Sequence, residues 1–197
     1  MKRMKLIKTL ILFVLGIAGC RETPVPKPRG FFRIDLPEKE YLLFNASSPE
    51  IPVVFEYPSY GSISFKTDDI SNPGWVNIDF PAYKARIYMT YREINNDLEA
   101  LMEQSYRLNI KNHIIKADAI NETPVYNEAK RVFGMIYDLK GSTATAIQFA
   151  LTDSVKHYFR GSLYFESEPN PDSLDPVISF FREDIIHLVE TLEWKKL

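Results

Sequence analysis

From Ile51 onward the chain alternates apolar and polar positions in short runs, the pattern of half-buried strands. Val53–Tyr57 reads as one strand, followed after a turn at Tyr60 and Gly61 by its alternating successor, Ser62–Lys66. Trp75–Phe80 sets Val76, Ile78 and Phe80 against Asn77 and Asp79. Ala85–Arg92 sets Ile87, Met89 and Tyr91 against Arg86, Tyr88 and Thr90. A helix is expected to open at Asn95 or Asn96 as N-cap and to run to Lys111, with a stripe of Leu98, Leu101, Met102, Ser105 and Leu108. Lys116–Glu128 reads as extended chain interrupted at Pro124. Three further strands follow, alternating Phe133, Met135, Tyr137 and Leu139, then Thr145, Ile147, Phe149 and Leu151, then His157, Phe159, Gly161, Leu163 and Phe165. Their short connections predict a meander.

After a loop at Glu166–Asp172, Leu174, Val177, Ile178, Phe181, Ile185, Leu188, Val189 and Leu192 recur at helical spacing. Ser173 or Asp175 is the expected cap, with Pro176 in the first turn. The fold class is therefore α+β, a mainly antiparallel sheet covered by two helices, and its order of elements resembles the PsbP-like sandwich.

The N-terminal part follows a different logic. Lys2, Arg3, Lys5 and Lys8 precede an uncharged run from Leu10 to Ala18, which is too short to span a membrane and has the form of a signal-peptide h-region. Ile17-Ala18-Gly19-Cys20 is similar to a lipobox, and Cys20 is the chain's single cysteine. Residues 1–19 are expected to be a lipoprotein signal peptide. Cys20 then carries diacylglycerol and an N-acyl chain, and residues 20–30 form a proline-rich tether with Pro24, Pro26 and Pro28. Residues 31–197 are expected to be one domain. Phe31, Phe32, Ile34 and Leu36 beside Arg29 and Arg33 fit either packing on that domain or docking to a partner.

Cleavage before Cys20 removes four of the 24 basic residues and none of the 26 acidic ones, which leaves a net charge of −6. That acidity argues against nucleic acid as a partner. Motifs for nucleophilic, nucleotide-dependent or zinc-dependent catalysis are missing, so no catalytic set is expected. His113, His157 and His187 are scattered, and His157 is expected at a rim. Oxygen side chains gather at Glu166, Glu168, Asn170, Asp172, Ser173 and Asp175, but without the spacing of a calcium loop. Tyr88, Tyr158 and Tyr164 fall on the outward face with Arg86, Arg92 and Arg160, a face that either lies under the first helix or meets a partner.

Five segments, taken together and in order, resemble the gliding-motility lipoprotein GldD family: residues 26–37 (PKPRGFFRIDLP), 80–83 (FPAY), 113–118 (HIIKAD), 159–165 (FRGSLYF) and 169–174 (PNPDSL). The resemblance implies a membrane-anchored, non-enzymatic accessory of surface gliding and of the type IX secretion machinery. Its partners would be other envelope proteins, and no cofactor is implied. Arg29, Phe31, Phe32, Arg33, Tyr88, Arg160 and Tyr164 are the candidate partner-binding residues, and a periplasm-facing position is expected. The alternative is a lipoprotein that binds a small ligand or glycan in a cleft between helix and sheet.

Overall fold

Ten strands form two antiparallel sheets in the computed structural model, which describes residues 34–45, 50–65, 74–111, 115–166 and 171–195. They are β1 (Tyr41–Asn45), β2 (Val53–Pro58), β3 (Ser62–Phe65), β4 (Trp75–Phe80), β5 (Ala85–Glu93), β6 (Ala117–Asn127), β7 (Val132–Gly141), β8 (Thr145–Thr152), β9 (His157–Phe165) and β10 (Glu193–Trp194). The larger sheet has seven strands in the order β3-β4-β5-β9-β8-β7-β6, and the smaller has three in the order β1-β2-β10. Helix α1 spans Leu98–Tyr106 and continues as a π-helical turn over Arg107–Lys111; helix α2 spans Pro171–Thr191.

The expected class holds, with the expected single sheet divided into two. The meander is present as neighbouring strands β7, β8 and β9. On one face of the large sheet, α2 and the small sheet make a common layer, and the core fills the space between. Val177, Phe181, Ile185, Leu188 and Val189 from α2 meet Phe55 of β2 and Phe80, Met89, Ile147, Phe149 and Phe159 of the large sheet. Phe181 packs 4.6 Å from Phe80 and 6.1 Å from Phe165, ring centre to ring centre.

A buried carboxylate fixes this layer. Asp184 on α2 is 1% exposed and accepts hydrogen bonds from Lys39 Nζ at 2.8 Å, Tyr41 Oη at 3.0 Å and Tyr60 Oη. Lys39 Nζ also donates to the Phe180 carbonyl at 2.7 Å and lies 3.8 Å from the centre of its ring. Burial first, and then Asp184, drive the Tyr41 and Tyr60 hydroxyls well above their ordinary range, so both stay protonated as donors. At the far end of α2, Lys130 reaches the carbonyls of Glu190 and Thr191 at 3.2 and 3.4 Å, placing a cation on the unpaired acceptors of a helix C-terminus.

Several local expectations are corrected. β6 runs unbroken through Pro124, because it is an edge strand whose outer row of backbone donors has no ladder partner to lose. β7 turns the other way from the expected face. Val132, Ile136 and Asp138 are buried on the α2 side, while on the opposite one Phe133, Met135 and Tyr137 are half-buried and Leu139 is buried. α2 opens at Pro171, so Pro176 lies inside it rather than in its first turn. α1 begins only after Asp97, which has no side-chain cap bond, and its expected stripe is covered in part: Ser105 is buried and Leu98 and Leu101 are half-buried, whereas Met102 and Leu108 are exposed. Ile34 and Leu36 are exposed, and Tyr83 Oη donates to the Asp35 carbonyl at 3.3 Å.

Candidate functional site

The face of the large sheet turned away from α2 gathers the arginines and tyrosines. Strand alternation dictates this, since every second residue of β4, β5, β8 and β9 must point to that side. Cross-strand pairing sets Asp79 beside Arg86 and Arg86 beside Tyr164. One step along, Asn77, Tyr88, Ser162 and Gln148 form a row, and beyond it lie Thr90, Arg160 and Ala150. The last row joins Arg92, Tyr158 and Thr152.

The two ends of this face differ: one lies under the first helix, as one of the two readings has it, and the other is exposed. At the Tyr158 end the sheet lies under α1: Tyr158 is 2% exposed, and its hydroxyl is 2.5 Å from Ser105 Oγ and 3.4 Å from the Leu101 carbonyl. Tyr158 is thus outward but covered. At the other end Tyr88 and Tyr164 are 43% and 37% exposed, and they pack edge to face with ring centres 5.5 Å apart. Arg86 pairs with Asp79, donates to Tyr88 Oη at 3.3 Å and stands 5.3 Å from that ring's centre, so the aromatic pair is held in place. The Tyr88 hydroxyl and then Asp79 push the Arg86 guanidinium above its ordinary range.

Arg160 lies between the covered end and the open one. Burial pulls its guanidinium below the ordinary range, opposed by the Tyr158 and Tyr164 hydroxyls; for a group that stays protonated in proteins, this is a desolvation cost. No carboxylate pairs with it among the described residues. Along the neighbouring row Gln148 is 2% exposed. Its Oε1 accepts from Ser162 Oγ at 3.3 Å, while its Nε2 has no partner. A buried unpaired donor costs about 1–3 kcal/mol.

The structure therefore brings Tyr88, Arg160 and Tyr164 together on one face, whereas Cys20, Arg29, Phe31, Phe32 and Arg33 lie outside the described residues, as does His113. Gln148 and Ser162 were not singled out from the sequence, although strand parity alone puts them in the row of Tyr88. His157 is not at a rim. It is buried, its Nδ1 lies 2.8 Å from Tyr91 Oη, and its ring stacks on Trp194 at 5.2 Å. His187 pairs with Glu56 at 2.6 Å and stacks on Tyr41 at 3.7 Å. The acidic stretch Glu166–Asp175 falls partly outside the described residues. Among those described, no group of three His, Cys, Asp or Glu side chains is placed to hold a metal ion. No helix among them is long and apolar enough to cross a membrane.

Comparison with known proteins decides the family. A family model described as gliding motility lipoprotein GldD matches residues 21–194. The chain belongs to this family. As a GldD-family protein it is a gliding-motility lipoprotein, held at a membrane of the cell envelope. No curated protein matches the chain. Among solved structures it is similar to the cyanobacterial PsbP (CyanoP) of Synechocystis sp. PCC 6803, at 13% identity and a TM-score of 0.48, over 83% of this chain and 97% of that one. At that level the likeness carries no argument about what either protein does.

Proposed function

We propose that the protein is a non-enzymatic, lipid-anchored accessory of the gliding and type IX secretion machinery, acting through contacts with other envelope proteins. The observation that carries this is the family match, which begins at residue 21, immediately after the cysteine of the lipobox-like segment, and runs almost to the end of the chain. In this reading Cys20 carries the diacylglycerol and the N-acyl chain, the prolines at 24, 26 and 28 space the domain from the bilayer, and the domain faces the periplasm. A glycan or small ligand between α2 and the large sheet is less well supported, because Phe80, Phe149, Phe159 and Phe181 fill that space at 0–1% exposure.

Deleting the gene and measuring both cargo secretion and the spreading of colonies tests the proposal. Loss of either supports an accessory role, and normal values for both overturn it. Protease treatment of intact cells tests the orientation: the domain should resist digestion until the outer membrane is permeabilised.

A further inference from the structure

We propose that the outer face of the large sheet, from the Tyr88–Tyr164 pair to Arg160, is the docking surface for an acidic segment of a partner protein. The inference rests on the reading of the protein as an envelope interaction module and adds to it a place and a partner chemistry. Charge is the first argument. The chain is acidic overall, yet between Asp79 and Arg160 the outward positions of β4, β5, β8 and β9 carry Arg86 and Arg160 against the single carboxylate of Asp79. Asp79 is already taken by Arg86. Arg160 remains half-buried beside Tyr158 and Tyr164 with no carboxylate partner among the described residues.

Arg160 needs an acceptor, and a planar carboxylate supplies one. The second argument is the exposed aromatic pair, whose orientation Arg86 fixes before any partner arrives; aromatic and arginine side chains held in this way concentrate binding energy at interfaces. A segment lying on this face would set its acidic side chain on Arg160 and its apolar neighbours on Tyr88 and Tyr164.

The test uses the full-length lipoprotein in its own cells. A photo-crosslinking benzoylphenylalanine replaces Tyr164, with the same substitution at Leu43, an exposed residue of the small sheet, as control. The expected result is a protein adduct from position 164 and none from position 43, with the crosslinked partner peptide containing Asp or Glu. Arg160→Met keeps the apolar stem and should lower the adduct by about tenfold or more at unchanged melting temperature. Arg160→Glu should abolish it, and replacing the mapped partner carboxylate by Arg should restore it. No adduct from position 164, an adduct with lipid or glycan instead of protein, a partner peptide without a carboxylate, or an adduct that survives Arg160→Glu overturns the proposal. The accessory role itself stands or falls separately, on the deletion phenotype.

Discussion

At the scale of single residues, His157 ties stability to pH. Burial holds its imidazole below the ordinary 6.5, with Lys156 acting in the same direction and Asp153 and Glu93 opposing. The folded protein therefore binds fewer protons here than the unfolded chain. The contribution is fully present above about pH 6.5 and is lost as pH falls toward the folded value. Urea unfolding between about pH 7 and pH 5 should show the midpoint falling on acidification, and His157→Phe should remove that part of the slope. The variant should also lose about 1 kcal/mol near neutral pH, where the bond to Tyr91 is missing. Asp153 behaves differently. Burial opposes its ionisation, but the backbone N–H groups of His157, Lys156 and Val155 outweigh that and hold its carboxyl below the ordinary range. Gly161 is constrained by space, since a Cβ there would run into the Phe149 ring. Gly161→Ala should lower stability by about 1–3 kcal/mol, measured by thermal unfolding.

At the scale of elements, α2 carries most of the layer that covers the large sheet. Phe181→Ala should cost about 3–5 kcal/mol in chemical unfolding, as for other large rings removed from a closed core. Asp184→Ala should cost a similar amount, about 3–5 kcal/mol, because it removes the acceptor of two tyrosine hydroxyls and the buried carboxylate partner of Lys39. The helical stripe of α2 was legible in the sequence because one face of α2 is apolar and the other wet. The parity of β7 was not, since Val132 and Ile136 face the α2 core while Phe133, Met135 and Tyr137 lie on the α1 side, so both faces are apolar. β1 and β10 also escaped notice. β10 has two residues, and β1 depends on a partner, β2, more than on its own pattern. The candidate site was half legible. Alternation placed Tyr88, Arg160 and Tyr164 on one side, but whether α1 covered them depended on where α1 lands, and it lands on Tyr158.

At the scale of the whole molecule, the proposed anchor at Cys20 and the domain should be separable. Cys20→Ser should leave the melting temperature of the purified domain unchanged while metabolic lipid labelling and membrane recovery are lost, since serine offers no thioether; retained labelling would refute the assignment of Cys20. The Asp184 cluster matters on this scale as well. Among the described residues, chain arriving from the N-terminal side touches Tyr83 through the Asp35 carbonyl, and then Lys39 and Tyr41, at the start of β1, are fastened to the middle of α2. A pull transmitted along the chain therefore loads an ion pair set across a helix before it can unzip an edge strand. If Cys20 carries the lipid as proposed, this fastening lies at the end of the domain on which tension in the tether would act.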